Sequence, residues 1–90
     1  MSANGTASER VLEARAARDG GRLWQARDLL EAYVEAENDP SALVELGEVL
    51  HEMGDLPRAG AIWFAAGAQG PEVDAAVAAW RALRRAATAT

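Results

Sequence analysis

Apolar residues recur at helical spacing along most of the chain. In "RLWQARDLLEAYVEAEN" (22–38), Leu23, Ala26, Leu29, Leu30, Tyr33 and Val34 fall on one stripe, while Arg27, Glu31 and Glu35 lie off it. In "SALVELGEVLHEM", Leu43, Leu46 and Leu50 follow the same period, with Val49 beside them. "LPRAGAIWFAAGAQ" places Ala59, Ile62, Trp63 and Ala66 on an inward face, and the last stretch carries Val73, Val77, Trp80 and then Leu83 or Arg84 on successive turns. Near the start, Ser8 can cap a helix whose apolar positions are Val11, Leu12, Ala14 and Ala16. No segment alternates with period two, so no strand is predicted.

Turn chemistry separates these stretches. "DGG" at 19–21 stops the first, because Gly accepts the left-handed conformation that ends helices. "NDP" ends the second, since Pro40 disfavours helix at the residue before it. Gly54 ends the third, Pro57 suits the first turn of the fourth, and Gly70–Pro71 breaks the chain before the fifth. The expected architecture is all-α, with helices at about 8–18, 23–37, 41–53, 57–69 and 72–87. Residues 7–87 form one domain, residues 1–6 are small, polar and expected to be disordered, and 88–90 are expected to fray.

An internal repeat underlies the pattern. When "GRLWQARDLL" (21–30) is laid on "GDLPRAGAIW" (54–63), Gly21 meets Gly54, Leu23 meets Leu56, Ala26 meets Ala59 and Leu30 meets Trp63. Trp24 aligns with Pro57, and Leu12 aligns with Leu46 once the doubled Gly20–Gly21 is absorbed. Two helices around a Gly turn, repeated at this period, resemble the tetratricopeptide repeat. The second unit carries Leu43, Leu46, Gly47, Leu50, Ala59, Trp63 and Pro71 at the family's spacings. The first departs from them, with Glu13 where a small residue is expected and no Pro at its end. The resemblance implies a tetratricopeptide-like α-hairpin array of two repeats, closed by a fifth helix that covers the apolar end. The chain is also similar to small stand-alone repeat proteins of unassigned function from GC-rich bacteria.

Composition narrows the function classes. Ninety residues, half of them apolar and many of those Ala, make one small domain with a modest core. Without Cys there is no disulfide, thiolate metal site or Cys nucleophile. All nine basic residues are Arg, which with the abundant Ala and Gly points to a GC-rich, bacterial coding genome. The net charge of −5 is uneven: from Asp19 to Asp55 ten carboxylates face two arginines. That balance excludes general nucleic-acid binding, which needs a basic face to displace phosphate counterions. No run is long and apolar enough for a membrane span, and "MSANGTASER" is no secretory signal, so a cytoplasmic location is expected.

Candidate chemistry is sparse. "HEMGD" (51–55) suggests the zinc-protease motif, in which two ligands four residues apart on one helix point at one ion. Here Asp55 stands at the second ligand position, Gly54 intervenes, and no further His or Cys completes a site, so neither metal nor cofactor is expected. Glu45, Glu48 and Glu52 read as a solvated acidic face, because nothing beside them supplies the pocket that acid–base catalysis requires. No Ser has a His partner, and no phosphate loop occurs. An enzyme is therefore the remote reading. Trp63 and Trp80 are expected in the core. Trp24 is expected to pack over its turn, although an exposed Trp there would serve as a binding anchor.

The resemblance implies that a partner segment docks on the concave face lined by the first helix of each repeat. That face maps to Arg10, Ala14 and Arg18 from the first helix, Val44, Glu48, His51 and Glu52 from the third, and Ala78, Ala82 and Arg85 from the fifth. Family members that bind chaperones clamp a C-terminal carboxylate there with basic residues, a use that Glu48 and Glu52 oppose. The expected partner is a protein or peptide, most naturally a basic one. The competing expectations are that Arg10 and Arg18 pair with those glutamates, and that the chain self-associates as a homodimer through Trp24 or its terminal helix.

Overall fold

The computed structural model describes residues 3–88 and contains five helices: α1 (Ala3–Asp19), α2 (Leu23–Ala36), α3 (Pro40–Glu52), α4 (Leu56–Ala66) and α5 (Pro71–Thr88). No strand occurs among the described residues. Each helix packs on the next in sequence, giving an elongated body of 49 × 26 × 26 Å. Ion pairs also join alternate helices, Arg15 to Glu45 and Arg18 to Glu48 and Glu52 between α1 and α3, and Arg58 to Glu31 between α2 and α4. α1 and α3 thus share one side of the molecule and α2 and α4 the other.

The two turns aligned by the repeat are built from the same bonds. The Gly21 N–H donates to Arg18 O and the Arg22 N–H to Ala17 O; thirty-three residues on, Gly54 donates to His51 O and Asp55 to Leu50 O. Both are Schellman caps around a left-handed glycine, with φ of 81° and 83°. Ala26 and Ala59, which the repeat also equates, are both fully buried.

The core runs through Leu30, Leu46, Val49, Leu50 and Trp63. Trp63 is 4 % exposed and packs against Gly47, where a Cβ would collide with the indole ring. Its ring N–H donates to the Val44 carbonyl at 3.0 Å, so burying the polar edge leaves no unmet hydrogen bond. Gly60 plays the matching part at the next interface. A side chain there would meet the backbone at Ala76, which is how α5 comes close to α4.

Several boundaries and burials differ from the sequence reading. α1 begins at Ala3, so residues 3–6 are helical where disorder was expected, and Ser8 lies inside the helix. Extending a formed helix adds one bond per residue without a new nucleus, and no Pro interrupts the stretch. Thr88, the first of the residues expected to fray, is the last of α5; the remaining positions assigned to disorder or fraying, 1–2 and 89–90, lie outside the described residues. α4 stops at Ala66, three residues early, because Gly67 takes a left-handed cap with φ 74° and Ala68 closes it onto Trp63 O.

Leu12 is 60 % exposed although its repeat counterpart Leu46 is buried, because α1 meets α2 through the small residues Ala14 and Ala17. Trp24 is likewise 60 % exposed and does not pack over its turn. In α5 only Ala76 is fully buried, since the close approach at Gly60 is made by α5 backbone. Trp80 is half-buried against Phe64, not in the core, and Leu83 is exposed.

Candidate interaction groove

Local sequence positions α3, the centre of the groove. Asp39 caps it, accepting from the Ser41 N–H at 3.0 Å and the Ser41 hydroxyl at 2.8 Å, and Pro40 occupies the first turn. Tyr33 Oη donates to the other Asp39 oxygen at 3.0 Å and so ties the start of α3 to α2. The Ser41 bonds, with Tyr33 second, hold the Asp39 carboxyl below its ordinary 3.8, while the neighbouring carboxylate raises the Tyr33 hydroxyl above 10.0. At the far end, Gly54 turns the chain. Asp55 then heads α4, its carboxylate accepting from the Arg58 N–H at 3.4 Å.

With both ends fixed, α3 presents Val44, Glu45, Glu48, His51 and Glu52 between α1 and the start of α5. Arg18 reaches across from α1. Its Nε and Nη2 donate to the two oxygens of Glu52 at 3.0 and 2.9 Å, and its Nη1 to Glu48 at 2.9 Å. One turn earlier, Arg15 Nε donates to both Glu45 oxygens at 3.1 Å. The bidentate contact from Arg18 lowers the Glu52 carboxyl below its ordinary value against the opposing effect of burial. The same contact, with Glu48 behind it, drives Arg18 further toward its charged form. His51 lies half-buried with its ring centroid 5.5 Å from that of Trp63, tilted by 36°.

Three recesses run along this side. A recess of about 420 Å³ is bounded by Arg15, Arg18, Ser41, Val44, Glu45 and Glu48. A second, of about 400 Å³, is bounded by Arg18, Glu48, His51, Glu52, Trp63 and Glu72. A third, of about 300 Å³, runs from Val44, Glu48 and Trp63 to Pro71, Glu72 and Val73. Glu48 borders all three, and Val44 borders the first and third, so together they form one groove crossing α3.

Of the residues singled out from sequence, Arg18, Val44, Glu48, His51 and Glu52 are brought together in this groove. Arg10 is exposed on α1 without an ion-pair partner among the described residues, so of the two expected pairings with the glutamates only that of Arg18 forms. Arg85 lies in the last turn of α5 beside Arg81 and Arg84, and Trp24 starts α2; neither borders the groove. Sequence reasoning missed Arg15 and Glu72. Arg15 had a signal, since Arg15–Glu45 and Arg18–Glu48 share one separation of 30 residues. Glu72 had none, because the turn at 67–70 decides where the first turn of α5 lands.

Among the described residues no helix is long and apolar enough to cross a membrane. No protein-family model matches the chain, and neither curated proteins nor solved structures give a match.

Proposed function

We propose that this protein is a tetratricopeptide-like helical-hairpin array that acts as a protein-interaction module, binding an extended basic segment in the groove across α3 without chemistry of its own. The observation that carries the reading is the continuity of the three recesses through Val44 and Glu48. An extended segment needs such a track, and helical arrays offer one where alternate helices stand side by side. The recurrence of the Gly21 turn at Gly54, bond for bond, supports the array.

Charge supports the choice of partner. Around the first two recesses two arginines stand against five carboxylates, Asp19, Glu45, Glu48, Glu52 and Glu72. Arg15 and Arg18 engage three of these, which leaves Asp19 and Glu72 without an ion-pair partner among the described residues. The groove is therefore net acidic, and its internal ion pairs fix its shape. A basic segment would be steered to it by the surplus charge and held by Glu72 at one end.

An NMR titration with an arginine- and lysine-rich peptide tests this. Amide shifts are expected to cluster at Val44, Glu48, His51 and Glu72, and Glu72→Arg should weaken binding several-fold at a stability cost of about 1 kcal/mol, since it replaces an acid in the first turn of α5 by a cation. Alanine at both Glu48 and Glu52 should weaken it as well. Peptide binding that ignores all three substitutions would sink the reading.

A further inference from the structure

The terminal helix carries a pattern that the groove leaves unused. α5 has Glu72 and Asp74 in its first turn and Arg81, Arg84 and Arg85 toward its end, and α4 is its main packing partner. Asp74, Ala78, Arg81 and Arg85 are all exposed and are spaced four, three and four residues apart, which places them on one stripe of the helix. Neither Asp74 nor Arg85 has an ion-pair partner among the described residues. Arg81 lies over the Phe64 ring at 5.5 Å, and Phe64 is itself 54 % exposed. Beside this stripe is an open recess of about 500 Å³ whose walls include Phe64, Val73, Val77 and Ala78, with Asp74 and Arg81 at its rim.

The stripe is complementary to itself. Consider a second copy of α5 laid antiparallel, with a two-fold axis between residues 79 and 80. Asp74 of each copy then faces Arg85 of the other, and the small Ala78 faces the long Arg81. Acid meets base at both ends and a bulky side chain meets a small one in the middle, next to a recess that takes an arginine stem. A parallel arrangement would instead set Asp74 against Asp74 and Arg85 against Arg85. We propose that this face of α5 is a homodimerisation surface whose occupant is the same face of a second copy in antiparallel orientation. An unrelated acidic protein would satisfy the arginines but would have no use for Asp74, which is why the second copy is favoured.

Sedimentation equilibrium from low micromolar to near-millimolar protein tests the proposal. The wild-type chain should dimerise, and added salt should weaken the dimer. Arg85→Asp and Asp74→Arg should each weaken self-association roughly tenfold, since each turns two attractive pairs into repulsive ones. Both residues are exposed, and a helical circular-dichroism spectrum confirms that each variant folds. Mixed in equal amounts, the two variants should form a heterodimer. The stripe of one chain is then acidic at both ends and that of the other basic at both ends, so each facing pair is attractive again. A chain that is monomeric at every concentration overturns the proposal. So do variants that dimerise like the wild type, or a mixture that fails to recover.

Discussion

The two hairpins, α1–α2 and α3–α4, share a turn but not a way of holding their helices together. In the second, a large residue fills a slot cut by a small one. Trp63 lies on Gly47 and hydrogen-bonds Val44, and each helix begins with an aspartate cap and a proline. In the first, Glu13 takes the place that Gly47 holds in the repeat and is exposed to solvent, so no slot exists. The buried contact comes from Ala14, Ala17, Ala26 and Leu30, and Arg22, the N-cap before α2, makes no side-chain cap bond. Ion pairs from Arg15 and Arg18 to α3 hold α1 from its other side. Exposed pairs of this kind contribute about 0–1 kcal/mol each, far less than a buried indole. The same turn thus supports a hairpin locked by shape and one that relies on its neighbour.

The strongest test of this contrast is truncation of the equivalent residues Trp63 and Leu30. Trp63→Ala should cost about 3–5 kcal/mol, because it empties the slot and removes the hydrogen bond to Val44. Leu30→Ala should cost less, about 2–3 kcal/mol, since the alanine-lined interface can close partly around the loss. Urea denaturation measures both, and equal costs would remove the distinction. A smaller effect is expected at the positions opposite them. Gly47→Ala should destabilise by about 1–3 kcal/mol through collision with the indole, whereas Glu13→Ala should be neutral or slightly stabilising, as Ala favours an exposed helix.

The smallest effect concerns the caps and appears as pH dependence. The folded-state pKa of Asp39 is depressed, so its stabilisation is present above the ordinary 3.8 and is lost as pH falls through the folded value. The Tyr33 hydroxyl is raised in the folded state. Its contribution is present below 10.0 and is lost as pH rises through the folded value. Asp39→Asn keeps a capping oxygen but does not ionise. It should therefore flatten the stability profile on the acid side and reduce the alkaline loss, with about 1 kcal/mol or less of change near neutrality. Arg22 has no titrating cap to lose, so Arg22→Asn should leave the shape of the profile as it was. Thermal melts across pH would show whether the acid limb belongs to the second hairpin.

The acidic character read along α3 changes meaning in the folded molecule. Glu45, Glu48 and Glu52 read as a solvated acidic face, with pairing of Arg10 and Arg18 to the last two as the competing expectation; in the fold all three accept from α1, from Arg15 and Arg18. The charge left over is at Asp19 and Glu72, one at the end of α1 and the other in the first turn of α5. His51 followed the same course. Its spacing to Asp55 suggested a metal pair, but Asp55 heads α4 and the imidazole lies near Trp63. Trp24 and Trp80, one at the start of α2 and one on the terminal helix, leave the core to Trp63 among the three tryptophans.

What the sequence determined by itself was most of what depends on near neighbours, although the local Gly67 cap that ends α4 was missed. Five helices, their approximate ends and the equivalence of the Gly21 and Gly54 turns follow from apolar spacing and turn chemistry, which act over a few residues. The Trp63–Gly47 pairing was half visible, because both residues stand at repeat positions. Tertiary structure alone decided which apolar residues are covered and which charges are satisfied. Leu12 and Leu46 occupy matching positions, but only one has a helix packed over it. Gly60 carries no signal in the apolar spacing; its role exists only because α5 rests against it at Ala76. Burial and pairing are properties of surfaces brought together from 16 to 34 residues apart, and no local pattern specifies how closely two helices approach.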